Sequence, residues 1–377
     1  MNLVKITGIV QTLLKSRTDS RKWCIVTIAA AFGVVGLAAL TAFTVDPHYR
    51  YRKPFFYDTV YYEFYSTAPF MLKEKPDYDL LMLGSSMVRN FFLDDIDRTF
   101  KCRSLKLSAA GCTTEDLRKL LDMAAEIRGK GLKRIVWSLD IYTLNKTGSH
   151  WKNVDFMYRK DHWDDYRYLL SRQTFSSIHY LVKRKLNPKG KRFHQTDRNR
   201  MFSTDYAGKK YGLKEVIKDA RGNHKTRHTQ EPYNAKAHQQ NFFGLVLPFI
   251  DRHPDIRFTI YLPPYHLYTW CLSEFCNDTE GLLAQRSEVL QELLKRPNVE
   301  IHDFQSDVSY VLHHDYFSDV QHFSNSAAQR VLQDLFSGRR RLSTPDQIRE
   351  NEKEMRRLIS QHMPQYHAHL KRSEKRK

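Results

Sequence analysis

The sequence predicts an α/β protein: a parallel sheet covered by helices on both faces, in three layers, behind one N-terminal transmembrane helix. Three observations lead there. Short apolar runs recur at "YDLLMLG", "SLKLS", "RIVWSLDIY", "RFTIYLPP" and "VEIHDF". Helical patterns such as "TTEDLRKLLDMAAEIRGKG" and "EGLLAQRSEVLQELLKRP" separate most of them, and strands joined through helices run parallel. Residues 23–45, "WCIVTIAAAFGVVGLAALTAFTV", carry no charge. A chain of 377 residues, 41% of them hydrophobic, buries a large core, which excludes a disordered protein. Its 61 Lys+Arg against 42 Asp+Glu give a formal +19 and favour an anionic neighbour: a membrane surface, an acidic polymer or nucleic acid.

Residues 1–22 form a cytoplasmic N-terminus bearing Lys5, Lys15, Arg17, Arg21 and Lys22, which places the body of the chain outside the cytoplasm despite the basic "HYRYRK" beyond the span. The apolar run exceeds the roughly 7–15 residues of a signal-peptide core, so residues 23–45 read as an uncleaved anchor. Residues 46–77 are a linker. A sheet domain spans 78–337, and its pattern is interrupted at about 161–233 by a basic, aromatic-spotted insertion including "KRKLNPKGKRFHQTDRNR". The basic stretch from Lys183 to Arg200 fits anionic polymer or lipid head groups; with the body external, nucleic acid is not an expected partner. Residues 338–377 read as a charged helical tail. The helix at Glu115 has Thr113 or Thr114 as N-cap and Gly129 or Gly131 as its stop. Cys271 and Cys276, or Cys102 and Cys112, either pair in an oxidising compartment or stay as thiols, and nothing beside them has metal-ligand spacing. No cofactor is expected.

Function gathers at the carboxyl ends of strands in such sheets, which is where Ser85, Ser86, Gly111 and Asp140 fall. "LLMLGSSMVRNF" ends a buried strand in two hydroxyls, which is the pattern of a helix cap or of a nucleophile lifted off the sheet edge. "YFSDVQHFSNSAAQ" places Asp319 three residues before His322, ahead of a helix that Ser324 or Asn325 caps. An Asp so spaced bonds the ring Nδ1 and leaves Nε2 to take a proton from a serine.

With those pieces named, the chain resembles the SGNH/GDSL hydrolase superfamily. "LGSSMVRN" is similar to its first block and assigns the nucleophile to Ser86, with Ser85 where Asp is usual. "LSAAGCTTEDL" is similar to the second and makes the Gly111 amide an oxyanion donor beside that of Ser86. "SDVQHF" is similar to the last and gives Asp319 and His322 their triad roles. The third block departs: its usual oxyanion Asn is missing from "WSLDIYTLN", and Asp140, the nearest equivalent, has to be protonated, turned away or used to orient another donor. The anchor with Gly-Ser-Ser is similar to the membrane-tethered members of the DltD type and to those that O-acetylate exopolysaccharides. The resemblance implies an extracytoplasmic, periplasmic serine acyltransferase or esterase acting on acyl groups of a cell-surface polymer, beside a membrane-bound O-acyltransferase. A non-catalytic scaffold is the alternative. Ser85, Arg89, one turn from Ser86, and Tyr265 and His266 after "IYLPP" are candidates for the substrate wall; a structural turn after Pro263 and Pro264 and a solvated Arg89 are the other readings of those residues.

Overall fold

Where the apolar runs meet a Gly, Ser or Asp, the chain leaves the sheet, and those exits define the molecule. The computed structural model describes residues 3–61, 68–149, 152–159, 161–186, 196–205, 208–226 and 232–371. It divides into two units, Met1–Tyr57 with Arg159–Gly190, and Asp58–Tyr158 with Lys191–Lys377. The expected insertion is therefore split. Its first part belongs with the anchor helix, and its later part belongs with the sheet. Residues 187–195 of the basic stretch lie outside the described residues.

The larger unit holds a six-stranded sheet of β1 Leu80–Gly84, β2 Ser104–Ser108, β3 Arg134–Ser138, β4 Arg257–Leu262, β5 Val299–Asp303 and β6 Arg341–Leu342, in the order β2-β1-β3-β4-β5-β6. β1 to β5 are parallel, and β6 pairs antiparallel with β5 through Ile301 and Leu342. Gly84 lies opposite Ser108 and Leu83 opposite Trp137, so the carboxyl ends of β1, β2 and β3 form one edge. The chain steps from β1 outward to β2, then returns past β1 to β3, and a crevice at such a reversal is where ligands bind in open α/β sheets.

Local chemistry sets the boundaries. Thr113 caps the helix Thr114–Arg128 in a reciprocal capping box with Asp116, and Gly129 ends it at φ 49°. "RIVWSLDIY" is a strand only to Ser138, because the Asp140 carboxylate accepts the Tyr142 amide at 3.1 Å and starts the 3₁₀ segment Ile141–Asn145. Beyond Gly338, the expected charged helix runs Pro345–Lys371 after the short strand β6, and it buries Ile348, Met355, Leu358, Ile359 and Tyr366 rather than standing clear as a tail. An apolar stripe at helical spacing, hidden among charges, makes that segment part of the core. Neither Cys102 nor Cys271 is in a disulfide, which removes both pairings; burial is the main cause pushing each thiol up to about 12.

The smaller unit contains the helix Leu3–Val45. Its segment Ser20–Val45, 26 residues long and not buried, is long and apolar enough to cross a membrane.

Candidate active site

Ser86 is placed by a turn only glycine permits. A Cβ on Gly84 would lie 2.8 Å from both Ser138 Cβ and Val88 Cγ1, so any other residue would push β1 from β3 or unwind the turn. The chain then enters a 3₁₀ turn, Ser86–Val88, and the α-helix begins only at Leu93. Ser85 is the buried N-cap of that turn, its Oγ accepting the Met87 amide at 3.4 Å. Ser86, the first residue of the turn, is half-buried, and at that position the backbone N–H has no partner within its own turn.

His322 arrives from the far end of the unit, with its Nε2 2.7 Å from Ser86 Oγ. Its Nδ1 lies 3.0 Å from each Asp319 oxygen. A carboxylate only accepts, so Nδ1 carries the ring proton and Nε2 is the acceptor for the Ser86 hydroxyl. Burial works to raise the Asp319 carboxyl. The ring hydrogen bond and charge of His322, with the His322 and Gln321 amides, outweigh it and hold the group well below the usual carboxylate range. Lys209 also faces Asp319 at 3.7 Å, but its side chain is half-exposed, and pairs of that kind contribute under about 1 kcal/mol.

The loop carrying this pair is pinned on several sides. Phe317 bridges Phe323, and the Ser318 amide donates to His322 O at 3.0 Å. Val320 O accepts from the His266 amide at 3.0 Å and from Thr269 Oγ1 at 2.5 Å, while the Val320 amide donates to Asp219 Oδ2 at 3.2 Å. Burial raises the Asp219 carboxyl; the Val320 amide lowers it, nearby Asp319 raises it, and His322 and Lys209 lower it. Ser324, not Asn325, caps the helix Asn325–Ser337.

Asn90 ties the two halves together. Its Nδ2 donates to Phe323 O at 2.6 Å and Thr204 Oγ1 at 2.8 Å, and its Oδ1 accepts from Ser203 Oγ at 2.9 Å and the Thr204 amide at 2.8 Å. Beneath it the wholly buried Lys106 of β2 donates to Arg89 O, Phe91 O and Met201 O at 3.0, 2.6 and 3.1 Å. These contacts join the Ser86 turn to the later insertion and the His322 loop. Neither residue stands out by spacing; a Lys inside the short apolar run "SLKLS" is the one irregularity that marked Lys106.

The other expected residues have mixed outcomes. Gly111 sits at φ 64° in a turn closed by Cys112 N–H to Ala109 O at 3.1 Å, leaving the sheet beside the Ser86 turn, and its carbonyl accepts from Lys146 Nζ at 3.2 Å. Asp140 is an acceptor. Ser85 Oγ donates to it at 3.2 Å, Tyr265 OH at 2.5 Å and the Tyr142 amide at 3.1 Å. Of the three roles open to Asp140, orienting its neighbours is the one this geometry fits, and a group receiving three donors gives none to an oxyanion. Tyr265 and His266 are fully buried rather than lining a substrate wall. Burial, then the Asp140 charge, raises the Tyr265 hydroxyl well above 10, so it stays a donor. His266 Nε2 pairs with His314 Nδ1 at 2.8 Å and its Nδ1 accepts the Tyr268 amide at 3.1 Å. Ser85 is likewise buried, and Arg89 caps the 3₁₀ turn with its N–H on Ser86 O at 3.2 Å.

The arrangement provides a hydroxyl, a base that accepts its proton, and a carboxylate that stabilises the resulting imidazolium. No protein-family model matches this chain, and no curated protein is detectably similar to it.

Proposed function

We propose that the protein is a membrane-anchored serine acyltransferase or esterase of the SGNH kind, acting outside the cytoplasm, in a periplasm, on acyl groups of a cell-surface polysaccharide or related polymer. One observation carries the reading: Ser86 Oγ, His322 and Asp319 are in hydrogen-bond sequence at 2.7 and 3.0 Å. The strand order supports the fold half of it, since 2-1-3-4-5 is the flavodoxin-like order. β1 and β2 are buried along their whole length, as strands covered by helices on both faces are.

In this reading Ser86 attacks an acyl carbonyl while His322 Nε2 takes its proton and Asp319 stabilises the imidazolium. The developing oxyanion faces the amides of Ser86 and Gly111. The leaving alcohol takes the proton from His322 and departs, leaving an acyl-Ser86 ester. A glycan hydroxyl or water, deprotonated by the same ring, then releases the acyl group and restores Ser86. With Asp140 accepting, this residue supplies no side-chain oxyanion donor, and one such donor is worth about 10²–10³ in rate. Slow, acceptor-directed transfer beside a membrane-bound O-acyltransferase fits better than rapid hydrolysis.

Turnover of an activated acetyl ester by the full chain, and its loss in Ser86→Ala, tests the chemistry. No turnover by the unaltered protein favours a scaffold that binds glycan or the acyltransferase. A reporter fused after Lys377 tests the topology, because activity in the cytoplasm contradicts it.

A further inference from the structure

Past the apolar helix, the anchor unit is held by a buried polar network, and large apolar side chains stand on its surface. Arg52 donates to Phe43 O at 2.7 Å and Thr44 O at 3.0 Å, and Tyr57 OH donates to Val45 O at 2.9 Å, so the helix's last carbonyls are satisfied without water. The Asp46 carboxylate gathers the amides of Arg50, Tyr51 and Arg52 at 2.9, 2.9 and 3.0 Å and the Tyr168 hydroxyl at 2.7 Å. Arg50 Nε reaches Asp165 at 3.0 Å, and Ser177 Oγ lies 3.0 Å from His48 Nε2. These bonds hold residues 159–186 against the exit of the helix.

The surface of the same region carries large aromatic and aliphatic side chains among basic and polar ones. Trp163 is 73% exposed, Phe55 71%, Tyr166 61% and Leu186 80%. On the helix Arg172–Leu186, Thr174 and Leu181 are buried. Phe175, His179, Val182 and Leu186, at i, i+4, i+7 and i+11, form a second stripe, and Lys183, Arg184 and Lys185 occupy the last turn. Large rings left in water beside a membrane-length helix are costly, and two features choose their occupant. The surface is continuous with the end of an apolar helix, and its charge is basic, so it complements anionic head groups rather than another copy of itself. Trp and Tyr concentrate at the head-group level for the same reason: one apolar ring with a polar edge.

We propose that residues 52–57 and 161–186 form an interfacial collar that lies in the head-group region of the leaflet the helix leaves, with Trp163, Tyr166 and Phe55 inserted and Lys183–Lys185 facing anionic lipid. The proposal rests on the anchoring half of the function above and is independent of its chemistry.

The test uses the full chain reconstituted in vesicles of phosphatidylcholine with phosphatidylglycerol, comparing the unaltered protein with Trp163→Phe. The difference emission, which reports Trp163 alone, should be quenched by lipids brominated near the head group and shielded from aqueous acrylamide. Lys183→Glu with Lys185→Glu should reduce that quenching, and reduce it less in phosphatidylcholine alone. Acrylamide access overturns the collar, and so does shielding from both quenchers, which means a protein covers it. Alkaline carbonate extraction separates the two failures: protein released from the pellet contradicts the anchor itself, whereas retained protein with a water-exposed Trp163 contradicts only the collar.

Discussion

Two neighbouring hydroxyls at one strand end have different environments. Ser86 Oγ is half-buried and faces a ring nitrogen that accepts its proton, whereas Ser85 Oγ is buried and donates to the Asp140 carboxylate while capping the turn. The residue type is the same; the partner differs. A hydroxyl bonded to a carboxylate at a cap is structural, because the carboxylate is too weak a base to take its proton. A hydroxyl bonded to an imidazole poised by a second carboxylate has the arrangement a nucleophile needs. The two sites share one edge of the sheet, and the Ser86–His322–Asp319 cluster is mirrored by Ser85–Asp140–Tyr265.

Perturbing the first cluster gives the largest effects. Ser86→Ala and His322→Ala should each lower ester turnover by about 10⁴-fold or more, and the double variant should be little worse, because such residues act as a unit. Asp319→Asn leaves the shape and removes the charge that steadies the imidazolium, for a loss of roughly 10³–10⁴. Lys106→Met breaks the support of the Ser86 turn: carbonyls of Arg89, Phe91 and Met201 lose their common donor, so denaturant midpoints should fall by the equivalent of about 3 kcal/mol. Tyr265→Phe and Ser85→Ala each remove one donor from Asp140 and should cost about 1–2 kcal/mol of stability while leaving Ser86 reactive. If Ser85→Ala instead abolishes turnover with the fold intact, the contrast between the hydroxyls collapses.

The last expected effect is acid sensitivity beside the site. Burial, and then His314, His362 and His369, pull the His266 ring from 6.5 down to about 3. The unfolded chain therefore binds this proton first as pH falls. The stability that neutral His266 contributes is complete above 6.5 and drains away towards 3. Denaturant midpoints should fall between about pH 7 and pH 4, with a shallower slope in His266→Asn.

The parts of this site legible in the sequence are those with local grammar. Gly84 with two serines after an apolar run, and Asp319 three residues before His322, are short patterns whose geometry their own neighbours determine. Thr113 and Ser324 as caps belong with them. What stayed hidden depends on contacts between distant segments. Asn90 is an ordinary turn residue until Phe323 and Thr204 arrive beside it. Tyr265 comes after two prolines and reads as wall or as part of a structural turn, and burial against Asp140 makes it a support. The helix Pro345–Lys371 is charged enough to read as a tail, yet Ile348, Met355 and Leu358 face the core. The insertion splits between two units because its halves pair with segments far away in the chain.

The central claim is that Ser86, and not Ser85, is the activated hydroxyl. Incubating the full chain with a fluorophosphonate and locating the adduct by peptide mass spectrometry tests it directly. The account predicts a single adduct on Ser86, lost in His322→Ala and retained in Ser85→Ala. An unlabelled protein, or labelling of Ser86 that is indifferent to His322, contradicts it.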